Sequence, residues 1–229
     1  MAAEQESPSM SKNVAELTVG VLGGTGDQGR GLANRLAAAG HPVIIGSRSA
    51  ERAQAAADGL GPGRGIRGMA NADAATEADV VIVAVPWEGH RDLLESLAGP
   101  LNGKIVIDCV NPLAFDKRGA YSIPVPEGSA AQQAAEVLPG SRVVGAFHHV
   151  SAVVLLDPEV ATIDLDVMVL GDDREATDLV QALAGRIAGC RGIYAGRLRN
   201  CGQVEALTAN LVSVNRRYKA HAGLRITDV

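Results

Sequence analysis

Short apolar runs alternate with amphipathic ones along most of the chain. "LTVGVLG" (17–23), "PVIIG" (42–46), "DVVIVAVP" (79–86), "KIVIDCV" (104–110) and "RVVGAF" (142–147) are rich in β-branched side chains. Such unbroken runs are the pattern of strands buried on both faces. "IRGM" (66–69), "DVMVLGD" (166–172) and "GIYAG" (192–196) read as further strands. Between them the period changes. Asp27 opens a helix with Leu32 and Leu36 one turn apart and Gly40 as its stop. Ser49 to Leu60, Trp87 to Leu97, Ser129 to Val137 and Arg174 to Ile187 read as helices too. A long final helix carries Val204, Leu207, Leu211 and Val214 at helical spacing. "GLGPGRG" (59–65) is a loop and "NPLAFDKRGAYSIPVPEGS" (111–129) an irregular connection. Repeated strand–helix alternation predicts an α/β fold built on a doubly wound parallel sheet.

Composition sharpens this only slightly. Aromatic residues make up 3% of the 229, so the core must be built from Ala, Val, Ile and Leu. The net charge of −5 gives no general case for nucleic-acid binding. Cys109, Cys190 and Cys201 are too few for a disulfide framework and point to a reducing, cytoplasmic setting. No apolar run approaches the roughly 20 residues that span a bilayer. Residues 1–16 are polar and unperiodic, and are expected to be a disordered tail. A dinucleotide-binding domain is expected over 17–150 and a smaller lobe over 151–229.

Chemistry enters with Gly24, Gly26 and Gly29, a G-x-G-x-x-G between the first strand and the first helix. In such a Rossmann-type loop the first glycine permits the turn and the second the approach of a pyrophosphate. The third permits helix–strand packing. Thr25 either bonds a phosphate or caps the turn. An NAD site would place a carboxylate at the end of the second strand. Here the position reads Ser47–Arg48, with Arg52 one turn later. A hydroxyl and two guanidiniums suit a 2′-phosphate, so the predicted coenzyme is NADP(H). Val85 and Pro86, ending "VAVP", sit where ligands of open sheets bind. Trp87 reads as a core anchor.

"AFHHVS" (146–151) follows another strand and should reach the same crevice. His148 is either an orienting or relay residue or a structural one; His149 is expected to have no chemical role, either facing solvent or donating to a backbone carbonyl. No metal-ligand spacing, G-x-S-x-G or Tyr-x-x-x-Lys appears. Arg186 to Arg225 holds eight Lys or Arg and a single acid, Glu205. It is either an attractor for an anionic second ligand or a solubilising or dimer surface.

"TVGVLGGTGDQGRGLANRLAAAGHPVIIGSRSAERA", "VVIVAVPWEGH", "AFHHVSA", "LGDD" and "NCGQVEALT" together resemble the NADPH:coenzyme F420 oxidoreductases. The resemblance runs from about Val19 to the last helix. It implies reversible hydride transfer between NADP(H) and the 5-deazaflavin coenzyme F420, by a homodimer. Thr25, Gly26, Asp27 and Gln28 would contact the pyrophosphate, and Ser47, Arg48 and Arg52 the 2′-phosphate. Val85, Val110 and Ala146 would line the nicotinamide half; His148, Val150 and Ser151 would hold the deazaflavin. The family often has Thr and Pro where this chain has His149 and Ser151. Two other readings share the nucleotide site: an NADPH-dependent reductase of a flavin, ferric chelate or imine, and an NADP-binding redox sensor without turnover.

Overall fold

A computed structural model describes residues 13–61 and 63–229. The first half repeats one unit. Strand β1 (Val19–Leu22) leads into α1 (Asp27–Ala38), β2 (Val43–Ser47) into α2 (Ala50–Asp58), and β3 (Ile66–Ala70) into α3 (Asn71–Glu77). Next come β4 (Val80–Val83), α4 (His90–Ser96), α5 (Ala98–Leu101) and β5 (Ile105–Asp108). A hairpin, β6 (Leu113–Asp116) and β7 (Gly119–Ser122), precedes α6 (Ala130–Val137) and β8 (Arg142–Gly145). The chain continues through α7 (Ala152–Leu156), β9 (Leu165–Gly171), α8 (Arg174–Ala184), β10 (Cys190–Gly196) and α9 (Cys201–Tyr218).

Eight strands form one sheet in the order β10-β9-β8-β5-β4-β1-β2-β3. From β3 to β8 all neighbours are parallel. β9 joins antiparallel through two residue pairs, Val144↔Gly171 and Gly145↔Leu170, and β10 pairs parallel to it. The residues expected as a smaller lobe therefore extend the same sheet. β1, β2, β4 and β5 are buried at every position. Val21, Ile45, Ile82 and Ile107 face one apolar layer with Leu32 and Leu36 of α1; Leu22, Ile44, Val83 and Val106 face the other with Leu94 and Ala134. Polar caps fix where helices start: Ser49, Ser129 and Asp173 accept from the N–H of Arg52, Gln132 and Ala176.

The structure adds the short helices α3, α5 and α7, which the sequence pattern did not mark, and differs in three further details. The helix expected over Trp87–Leu97 opens as a 3-10 turn at Trp87–Gly89 before α4. The connection over 111–129 contains the ordered hairpin, whose strand β7 packs on α9. Of the polar opening, residues 1–12 lie outside the described residues. Val14–Glu16 form a 3-10 turn, capped by the Asn13 side chain, with Val14 against the core.

Candidate functional site

The crevice sits at the carboxyl ends of β1, β2 and β4. Its lining includes Thr25, Gly26, Ser47, Arg48, Arg52 and Val85, and its volume is about 680 Å³. The glycines of the loop have different surroundings. A Cβ at Gly24 would lie 2.7 Å from Val21 O, and one at Gly29 would lie 2.6 Å from Gly24 Cα. At Gly26 the nearest atom, Gly23 O, is 3.8 Å away, so the backbone there is open to a ligand. Gly23, which the motif does not include, has φ +70 and lies against Val85. α1 starts at Gly26 with no side-chain cap, leaving its first N–H groups to whatever occupies the crevice. Asp27, in that first turn, is drawn aside by Arg30 at 2.7 Å.

Ser47 is buried at the end of β2, whereas Arg48 and Arg52 are exposed. Neither guanidinium has an ion-pair partner among the described residues. The nearby acid Glu51 is engaged instead by Ser49 Oγ at 2.5 Å. Asn71, absent from the sequence expectation, also lines the crevice; its Oδ1 is buried without a hydrogen-bond partner. It starts α3, and its only signal was its position after a strand.

The other half is more enclosed. Val110, Ala146, His148 and Val150 are buried and do not line this crevice. Ser151 lines a separate cavity of about 120 Å³ with Val154, Asp164 and His221. Phe147 adopts φ +64 although its side chain is fully buried. Gln28 Nε2 donates to Phe147 O at 3.4 Å. Asn111 Nδ2 and Thr208 Oγ1 both donate to His148 O, at 2.7 and 3.1 Å. Burial pushes the His148 imidazole down to about 4, and neither ring nitrogen has a partner of hydrogen-bonding geometry. His148 is therefore neutral near pH 7 and suited to shaping the turn rather than to relaying protons. His149 is buried, and its Nε2 donates to Asp166 O at 2.9 Å.

Behind the crevice lies a buried polar network that sequence reading missed. His90 and Asp108 are fully buried and meet at 2.6 Å (Nε2 to Oδ2); His90 Nδ1 lies 2.9 Å from Gln133 Oε1. Burial opposes charge on His90, but the Asp108 carboxylate holds its pKa above the ordinary value. Asp108 Oδ1 also accepts from Val110 N at 3.0 Å, and Trp87 stacks on His90 with centroids 5.5 Å apart. The pair thus ties the turn after β4 to the turn after β5. Its members are 18 residues apart, and no spacing rule links them.

Glu205 completes this interior. Its carboxylate accepts from Ala130 N (2.9 Å) and Ala131 N (3.2 Å), fastening α9 to the start of α6. Burial pushes its carboxyl up to about 7 despite those donors. A carboxyl raised in the fold above its unfolded value of about 4.3 loses stability as pH rises through that interval. Glu205→Gln loses one of the two acceptors at either pH but carries no charge to bury, so its melting temperature relative to wild type is expected to be about 5 °C higher at pH 8 than at pH 4. Calorimetry at the two pH values measures this, and equal shifts at both would contradict it.

The basic segment is partly neutralised. Arg191 holds Asp166 through two bonds of 2.7 Å, Arg225 reaches Asp164 and Asp166, and Arg197 lies by Asp172. Arg191 accordingly keeps the Asp166 carboxyl well below the usual range. Arg216, Arg217 and Lys219, at the end of α9, have no ion-pair partner among the described residues. Among those residues, no three His, Cys, Asp or Glu side chains gather as a metal set, and no helix is long and apolar enough to cross a membrane.

Comparison with known proteins places this geometry in a family. Residues 18–112 match the model for NADP oxidoreductase, coenzyme F420-dependent. The F420-dependent NADP reductase of Methanothermobacter marburgensis is 40% identical over 223 residues, covering 93% of this chain and 99% of that protein. The chain belongs to the F420-dependent NADP reductase family. The family member of Methanocaldococcus jannaschii is 41% identical over 224 residues, covering 93% and 99%. A solved structure of a putative F420-dependent NADP reductase from Arthrobacter sp. FB24 superposes with a TM-score of 0.80 at 28% identity, over 92% of this chain and 99% of that one. The likeness spans the family's full length, and so includes β9, β10 and α9 as well as the nucleotide half.

Proposed function

We propose that the protein transfers hydride reversibly between NADP(H) and the deazaflavin coenzyme F420. The two guanidiniums beside Ser47 carry the first half of this reading, since they match a 2′-phosphate and have no ion-pair partner among the described residues. Family membership carries the second half. When both coenzymes are bound, a hydride passes from the nicotinamide C4 to the deazaflavin C5, and solvent supplies the proton that completes reduction. The chain's own task is positional. Gly26 and the start of α1 receive the pyrophosphate, with Thr25 and Gln28 beside it. Val85 and Pro86 form one wall for the nicotinamide, while Val110 and Ala146, held by Asp108, back it. Ser151 and the backbone after Phe147 offer the deazaflavin its contact surface, with the buried Val150 and His148 supporting that turn from within. Arg216, Arg217 and Lys219 provide charge for the anionic phosphate and glutamate tail. The test is turnover of F420 with NADPH beside NADH and beside free FMN. Bleaching of the deazaflavin by NADPH alone is expected; equal reduction of FMN would favour a general NADPH reductase.

A homodimer fits the surface. Four of the six aromatic residues are exposed, among them Phe115 (69%) and Tyr121 on the hairpin and Tyr218 (73%) on α9. The hairpin that carries Phe115 and Tyr121 packs through β7 on α9, which carries Tyr218, and aromatic side chains are enriched at interfaces. Phe115→Asp is expected to halve the mass measured by sedimentation. A wild-type monomer would contradict the assignment. Three buried, unpaired cysteines accord with a reducing cytoplasm.

A further inference from the structure

We propose that the seam between α1 and α7 sets the gap between the two reacting rings, with Gly31 and Arg35 as its positioning residues. This rests on the coenzyme reading above. Gln28, Gly31 and Arg35 follow one another at three and four residues along one face of α1. Each engages the segment after β8. Gln28 reaches Phe147 O. At Gly31 the two helices are in close contact: a Cβ there would lie 2.6 Å from Leu155 Cβ.

Arg35 makes the firmest tie. Its Nε donates to Leu155 O at 2.8 Å and its Nη1 to Val160 O at 2.6 Å. Its Nη2 donates to Val154 O at 2.7 Å and Asp157 O at 3.0 Å. These are carbonyls at and just beyond the end of α7, which a helix leaves without internal partners. No carboxylate among the described residues takes part. The guanidinium fork is used wholly as a clamp on another segment's backbone, which a lysine's point charge cannot reproduce.

The clamped segment needs holding. Phe147 sits in the left-handed region, where a residue with a bulky side chain is strained and persists only if its surroundings over-determine it. Its ring is locked in the core, Gln28 bonds its carbonyl, and Asn111 and Thr208 bond the next one. One rigid helix thus presents its first turn to the nicotinamide coenzyme and carries on its flank the turn offered to the deazaflavin. Hydride transfer between stacked rings is steep in distance, and a displacement of about 1 Å costs on the order of 100-fold.

Gly31→Ala places a methyl group in the seam and pushes α7 outward; Arg35→Lys keeps the charge and loses the fork. Both variants are to be made in the full chain and compared with wild type in three measurements. These are NADPH affinity by fluorescence titration, the single-turnover rate of F420 bleaching, and the primary deuterium isotope effect from NADPH deuterated at the transferred position. NADPH affinity is expected to stay within about twofold while the hydride step slows by about 10- to 100-fold, with an enlarged isotope effect. A role confined to stability would lower the melting temperature and the active fraction but leave the isotope effect as in wild type, and that result would overturn the proposal. So would an unchanged rate in either folded variant. If wild type binds NADPH yet leaves the deazaflavin oxidised, the coenzyme reading fails and the seam's role fails with it.

Discussion

Replacing Arg48 and Arg52 together by alanine is expected to raise the KM for NADPH by about 100-fold or more, with NADH turnover nearly unchanged. A hydrogen bond to a charged group contributes roughly 1.5–3 kcal/mol. Both side chains are exposed, so solvent and salt bring each nearer the lower end, about tenfold apiece. The loss should be selective because only the 2′-phosphate carries the extra charge. It should also shrink in wild type as ionic strength rises. Ser49 caps α2 through Arg52 N, a backbone contact that the substitution leaves in place. Steady-state kinetics with both coenzymes measure the effect. An equal loss with NADH would mean that the two arginines support the loop and do not read the phosphate.

The second large effect concerns the buried pair. Asp108→Ala is expected to destabilise the protein by about 3–5 kcal/mol, because it leaves His90 without its charge partner in a dry interior. Val110 N loses its acceptor in the same step. His90→Ala leaves the carboxylate unpaired and should cost a similar amount. The pH dependence follows from the direction of the shift. A histidine raised in the fold contributes stability that is complete below its unfolded value near 6.5 and disappears as pH rises through its folded value. Wild type is therefore expected to lose melting temperature between pH 6.5 and alkaline pH, and Asp108→Asn to lose less across the same interval. Thermal melts over that range decide it. A wild-type melting temperature that rises with pH there would contradict a charged His90.

Much of the nucleotide half was legible in the sequence because its signals are local. β1, α1 and β2 follow from an unbroken apolar run, a glycine-rich turn and a second run, and the ribose position is counted from the same turn. The hairpin was not legible. Leu113–Ser122 has weak alternation, and its strand β7 packs on α9, nearly a hundred residues on. The split at Trp87 was hidden for a related reason: Trp87 stacks on His90 within a network anchored on Asp108 and Gln133, and helical periodicity carries no trace of that. For His148 the sequence left an orienting or relay role and a structural one both open, since a residue after a strand end can face either way. The left-handed turn at Phe147, at a residue type that seldom adopts it, folds the ring inward. Nothing local in the sequence marks Arg35, because its four carbonyl acceptors lie about 120 residues away.

The most direct measurement follows the hydride itself. Purified protein is mixed with oxidised coenzyme F420 and NADPH carrying deuterium at the transferred position of C4, and the reduced deazaflavin is analysed by mass spectrometry. One deuterium at C5, with none acquired when unlabelled NADPH is used in deuterated water, is the expected result. A reduced product that takes its C5 hydrogen from solvent, or no reduction beside tight NADPH binding, would contradict direct transfer between two coenzymes held by this chain.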